Sequence, residues 1–207
     1  FTTFVWPRSV SVIPSSVFSG CGSLTSITGH EAVTSVGGWN DGREAFRRSG
    51  LTSFSWPPGA TAVPDRAFKE CDALTSITGL DAVTSVGEAA FAQSGLTSLK
   101  WPAGATEVQY YTFEESAALT SITGMDAVTS IAPYAFRKSG LISFAWPPGA
   151  TDIGFSTFEA CTALTSITVP DTVKSINPGA FEYCTNLTSF DWPRNTTMVR
   201  SDIFYGS

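Results

Sequence analysis

The residues of this 207-residue chain that could do chemistry are few, and their spacing limits what that chemistry is. His30, the single histidine, stands beside Glu31. With no second imidazole, neither a His-rich zinc site nor a His-based relay can be assembled. Matching stretches read Leu80-Asp81 and Met125-Asp126, so His30 reads as a turn residue on a rim. Cys21, Cys71, Cys161 and Cys184 each follow a phenylalanine by three residues, a place held elsewhere by Ser49, Ser94, Ser116 and Ser139. A thiol that exchanges with serine at a fixed offset reads as a small buried packing residue with a free sulfur. Cys161 and Cys184 are the pair whose Cα separation would permit a bridge if their segments stack. "GWNDG" lacks the acidic ligand series of a calcium loop. No phosphate-binding loop, dinucleotide fingerprint or zinc spacing occurs. The chain therefore reads as a non-enzyme that takes no cofactor and no metal. Asn186-Leu187-Thr188 and Asn195-Thr196-Thr197 fit the N-glycan acceptor pattern.

Composition narrows the partners. The net charge of -6 is spread along the chain without a basic face, which excludes phosphate-backbone binding. No apolar run reaches the roughly 20 residues of a membrane span. Charged residues make up 14%, and Ser, Thr and Gly are abundant, which favours turns and extended chain over helices.

What must position these residues is a repeat. Aligned on an opening leucine or phenylalanine, the chain divides into nine units: 1–23, 24–50, 51–73, 74–95, 96–118, 119–140, 141–163, 164–186 and 187–207. Each carries apolar residues at fixed offsets, and the last such column is phenylalanine throughout, from Phe18 to Phe204. A period near 23 residues is one coil of a solenoid in which each unit packs on its neighbours. The "LTSIT" phrase predicts a short strand, and stacked coils predict one continuous parallel sheet at about 4.8 Å spacing. The "AFxxS" or "AFxxC" end predicts a single helical turn.

Odd units place Trp6, Trp56, Trp101, Trp146 and Trp192 where even units have Gly29, Gly79, Gly124 and Val169. The alternation predicts indoles interlocked with glycines of adjacent coils. These five tryptophans, with Phe68, Phe91, Phe113, Phe136, Phe158 and Phe181, are the expected structural core. Glu114, Glu115, Arg137, Lys138 and Glu159 hold matching positions in successive units, so opposite charges should stack.

The pattern L-x-x-I-x-[W/G/V]-P-x-x-x-x-x-I/V-x-x-x-A/T-F-x-x-C/S resembles the leucine-rich repeat, specifically the BspA-like or Treponema-type class. "LTSITVPDTVKSINPGAFEYCTN", residues 164–186, carries the resemblance best. It implies a right-handed stack with a parallel sheet on the concave face and turns or helical turns on the convex face. It also implies a secreted or surface-exposed protein used in adhesion and protein recognition. The glycines of three even units depart from the aliphatic residue usual in that class.

Two surfaces are candidates for binding. One is the outward strand face, where Ser53, Ser55, Ser76, Thr78, Ser98, Ser121 and Thr123 form a carpet of small hydroxyls interrupted by Lys100. It has no aromatic anchor, which argues against tight recognition there, and reads as a solvated sheet face or as a shallow contact surface for a glycan or extended protein. The other is the interruption "VGGWNDGREAF", which exceeds its counterpart "VGEAAF" by five residues and displays Trp39, Asn40 and Asp41 beside Arg43. Insertions in repeat proteins map to loops, and Trp and Arg are hot-spot types. The expected function is rigid display of such a surface to a protein or glycan outside the cell. The alternative is a structural subunit whose terminal coils make end-to-end contacts; ice binding by the hydroxyl ranks is a remote third. Phe1 opens a unit in phase and Phe204-Tyr205 stops one short, so the chain is expected to be part of a longer array.

Overall fold

The structure is a computed structural model that describes residues 1–37 and 44–207. It is a parallel β-solenoid of short strands and turns, and among the described residues its one helical element is a single 3-10 turn, Leu80–Ala82. The first strand of a coil comes from the "TSIT" phrase, as in Ser53–Ser55, Ser76–Thr78, Ser98–Lys100 and Ser121–Thr123. A second, shorter strand follows at the third apolar column, as in Ala62–Val63, Ser85–Val86 and Glu107–Val108. Alternation within each strand sends Phe54 or Leu99 inward and its serine, threonine or lysine neighbours outward.

The expected continuous sheet is instead built from pairs of coils. An odd coil pairs in register with the even coil after it, Ser53 with Ser76 and Ser98 with Ser121. Backbone bonds at this step are short: Thr75 N–H to Thr52 O is 2.9 Å and Thr120 N–H to Thr97 O is 3.0 Å. At the next step they lengthen, with Thr52 to Thr25 at 3.3 Å and Thr97 to Thr75 at 3.5 Å. The sequence carries the cause. Units 74–95 and 119–140 have one residue fewer than the odd units, and the loss falls after Ser94 and Ser139, where the chain cuts a corner through glycine. A Cβ on Gly95 would lie 2.1 Å from the Asp72 carbonyl oxygen, so no other residue fits that shortcut. Unit 164–186 is full-length, and there the second-strand ladder runs on from Asp152–Ile153 through Ser175–Ile176 to Met198–Val199.

The phenylalanine column is what runs unbroken. From Phe18 to Phe204 the rings stack at 5.0–5.9 Å between centroids, with planes 3–16° apart. Every such ring from Phe46 to Phe181 is fully buried. The segment around each ring is a turn rather than the expected helical turn, because residues two before and two after the ring have left-handed backbone. Tyr111 (φ 60°) and Glu115 (φ 56°) flank Phe113 in this way. Such dihedrals disfavour non-glycine residues. They persist because they aim N–H groups at the next coil, as in Phe113 N–H to Ala135 O and Glu115 N–H to Arg137 O, both 2.8 Å.

Trp6, Trp56, Trp101 and Trp146 are buried. Within its own coil each indole is fixed by aromatic contacts and one hydrogen bond. Trp56 meets Phe54 and Phe68 edge-on at 6.0 and 6.1 Å and donates its Nε1–H to Ala60 O at 2.8 Å. The glycines opposite make room for backbone: a Cβ on Gly79 would stand 2.6 Å from the Trp56 carbonyl oxygen, and its φ of 77° is left-handed. That turn points the following residue inward, so His30, Leu80 and Met125 fill the even coils where tryptophan fills the odd ones. Trp192 is the exception among the described tryptophans, 52% exposed. It packs on Phe190 and Phe204 of its own coil, but no described coil covers its far side.

Candidate binding surface

The small-residue column beside the phenylalanines has a hydrogen-bonding role. Cys71 donates its S–H to Phe46 O at 3.0 Å, Cys161 to Phe136 O at 2.9 Å and Cys184 to Phe158 O at 3.0 Å, while Ser116 does the same to Phe91 O at 2.8 Å. In these coils a small donor fills the site and satisfies a buried carbonyl. In the others Ser49 and Ser139 contact the Cys71 and Cys161 sulfurs at 3.5 and 3.4 Å, and Ser94 Oγ meets no partner among the described residues, so there the serine serves by its size. All four thiols are free, including Cys161 and Cys184. Burial pushes the Cys161 thiol up to about 11 and the Cys184 thiol up to about 12, so neither is a nucleophile near neutral pH.

His30 is not on the rim. It is 6% exposed, stacks on Phe54 at 4.9 Å and contacts Ser55 O through Nε2 at 2.7 Å. The left-handed Gly29 before it turns the ring into the core position that Leu80 and Met125 occupy in later coils. Among the described residues no three His, Cys, Asp or Glu side chains converge as metal ligands. No described helix is long and apolar enough to cross a membrane.

The strand-face residues Ser53, Ser55, Ser76, Thr78, Ser98, Lys100, Ser121 and Thr123 are all exposed, and register sets them side by side within each pair of coils. Lys100 lies 3.7 Å from Asp81 with both side chains largely solvated, a pair of little energetic weight. Trp39, Asn40, Asp41 and Arg43 lie outside the described residues.

Charges stack along the turns. Arg137 bridges Glu114 at 3.0 Å and Glu159 at 3.1 Å, and Lys138 reaches Glu115 at 2.8 Å. Hydrogen bonds from Lys138 and Gln93 hold the Glu115 carboxyl below its ordinary range despite some burial. For Glu70, partial burial pushes up, but bonds from Arg47 and Arg48 win and hold it low. A hollow of about 830 Å³ opens where the chain cuts the corner between coils at Gly50 and Gly95. Its charged groups are largely paired within the chain, Arg48 with Glu70 and Gln93 with Glu115, while the buried Ser94 Oγ in its wall has no partner among the described residues.

Sequence reasoning missed a different surface, an aromatic ridge on the later coils. Tyr110, Phe155 and Tyr205 are 47%, 49% and 59% exposed. Tyr110 and Phe155 share the wall of one hollow of about 380 Å³, and Phe155, Tyr134 and Tyr205 share the wall of a second of the same size. Tyr134 stacks on Tyr111 at 5.2 Å, and Tyr205 meets Tyr183 at 5.6 Å. A signal was present: all five tyrosines lie beyond residue 109. They fall at four offsets from the column phenylalanine, and only Tyr111 and Tyr134 share one, two residues before the ring, so they form no column along the whole stack.

The whole length of the chain matches the family model described as "BspA type Leucine rich repeat region", in six copies over residues 1–117, 41–161 and 106–207. No curated protein matches the chain in sequence. Its fold is similar to that of a leucine-rich repeat protein from Bacteroides ovatus, at a TM-score of 0.65 and 20% identity over 99% of this chain and 76% of that one. A leucine rich cell surface protein from Faecalibacterium prausnitzii gives 0.58 and 24% over 100% and 70%. The leucine-rich repeat protein of T. pallidum gives 0.62 and 20% over 90% and 78%. With its repeat pattern, its solenoid and this match in agreement, the chain belongs to the BspA-type leucine-rich-repeat family.

Proposed function

We propose that the chain is a non-catalytic binding or adhesion module of a surface-exposed protein, which recognises a protein or glycan by rigid display. The observation that carries this reading is the division of labour among its side chains. Leucine, phenylalanine and tryptophan columns together with the Cys/Ser donors account for the stack. The strand-face hydroxyls and the aromatic ridge contribute nothing to that core and stand in solvent. Solvent-facing aromatics are the residue types on which recognition surfaces depend, and one structural neighbour is named as a cell surface protein. The chemistry-bearing residues favour no reaction, since three of the four thiols are buried donors and the histidine is a core ring.

A second reading, a structural subunit in a larger assembly, has support in the apolar side chains that the terminal coils expose, Phe1 and Val5 at one end and Trp192 and Val199 at the other. The test is isolation from the native source without cross-linking, followed by mass spectrometry of what remains bound. Surface macromolecules retained reproducibly and displaced by excess free protein are expected. Recovery of the protein alone at every concentration tried would overturn the binding reading. A single partner held in fixed ratio through the terminal coils would favour the assembly.

A further inference from the structure

We infer that the aromatic ridge of the later coils is a docking groove for an extended, cationic polypeptide segment bearing Lys or Arg. This deepens the binding-module reading and rests on it. Charge is what selects the occupant. Glu107 and Asp152 line the hollow between Tyr110 and Phe155, and Glu182 and Asp202 line the hollow between Phe155 and Tyr205. Neither wall contains Arg or Lys. Elsewhere on the turns acids are answered within the chain, Glu70 by Arg47, Glu88 by Arg66, and Glu114 and Glu159 by Arg137, whereas Asp72, with no cation on it among the described residues, lines a hollow without an aromatic ring. Among the described residues the four acids of the ridge pair with no cation; Glu107 accepts from Gln109 Nε2 at 3.0 Å, and Asp152 accepts from Thr151 Oγ1 at 2.7 Å and from Ser175 Oγ, neutral donors that leave the charge in place. Arg200, one register step beyond Asn177, borders the ridge but lines neither hollow.

Exposed aromatic faces interspersed with uncompensated carboxylates attract guanidinium and ammonium groups twice, through the ring quadrupole and through charge. An anionic ligand would be repelled, and a neutral one would leave the charge unanswered. Length follows from the coils. Tyr110 and Tyr205 stand four coils apart, about 19 Å at ~4.8 Å per coil, which an extended chain spans in about six residues.

The probe is fluorescein-labelled hexa-arginine, with hexaglutamate and the neutral sugar chitotetraose beside it, read by fluorescence anisotropy and by isothermal titration. Wild-type protein should bind hexa-arginine and neither of the others. Phe155→Ser removes a half-exposed ring without changing charge and should weaken that binding at least about threefold. Glu182→Gln with Asp202→Asn should weaken it similarly and flatten its dependence on salt. Both variants alter solvent-facing groups, and a thermal melt matching wild type shows that they fold. Hexa-arginine binding unchanged by Phe155→Ser would mean general attraction to an acidic protein and would overturn the proposal, as would no binding at millimolar peptide. Salt-independent binding of chitotetraose that Phe155→Ser abolishes would overturn it in favour of a glycan. Each of these failures leaves the binding-module reading standing if native partners are still retained; loss of those partners would sink both.

Discussion

Truncating one tryptophan of the column at two different coils separates core packing from mere repetition of a residue. Trp101 is 1% exposed, packs on Phe113 at 6.0 Å and donates its Nε1–H to Ala105 O at 2.7 Å, a carbonyl that is itself buried. Trp101→Ala removes a complete buried aromatic, which costs about 3 to 5 kcal/mol, with the orphaned carbonyl pushing toward the upper end. Trp192 occupies the same column but is 52% exposed, so Trp192→Ala forfeits roughly half the burial and should cost about 1 to 2 kcal/mol. Trp101→Phe keeps a ring in place and loses the hydrogen bond, an intermediate cost of about 1 to 2 kcal/mol. Urea unfolding followed by far-ultraviolet circular dichroism gives all three from the shift in midpoint at constant slope. Costs for Trp101→Ala and Trp192→Ala that agree within about 0.5 kcal/mol would refute the packing argument.

Gly95→Ala should be among the most damaging small substitutions, about 3 kcal/mol or more, because its Cβ would lie 2.1 Å from backbone that cannot move without opening the coil; a melt within 2 °C of wild type would contradict the shortened-coil geometry. In native protein Ellman's reagent should reach only the half-buried Cys21, with Cys71, Cys161 and Cys184 reacting after denaturant is added. Rapid reaction of more than one thiol would mean that the carbonyl-capping column is open. Glu70 and Glu115 have folded-state values below their ordinary range, so their contribution is complete above that range. It is lost as pH falls through the lowered values, where the folded state takes up the protons. Wild type should therefore lose stability on acidification below the carboxylate range more steeply than Glu115→Gln, and parallel midpoint–pH curves would count against the ion-pair ladder.

Much of the fold was legible because a repeat averages out local ambiguity. Leu24, Leu51, Leu74, Leu96, Leu119, Leu141 and Leu164 share one offset and are all fully buried. The charge ladder of Glu114, Arg137 and Glu159 followed from the same arithmetic. Reasoning column by column failed where geometry depends on backbone sign or on unlike positions meeting. Gly79 reads as space for an indole, and only its left-handed φ shows that it instead turns Leu80 inward; the same turn took His30 from the rim to the core. The missing residue after Ser94 was visible as a 22-residue unit, yet its effect on strand pairing required the close approach of Gly95 to Asp72. The candidate site was least legible. Tyr110 and Phe155 share one offset, three residues before the column phenylalanine, but lie two coils apart with Pro133 between them, and Tyr205 sits at another offset, so only the stacking of those coils gathers them into one ridge.

The account rests on a separation between side chains that build the stack and side chains that meet a partner. Hydroxyl-radical footprinting of the complex retained from the native source, compared with the free protein, tests it most directly. The account predicts protection of outward groups, foremost Tyr110, Phe155 and Tyr205, with the buried columns silent in both states. Protection confined to the terminal coils, at Phe1, Trp192 and Met198, would contradict it.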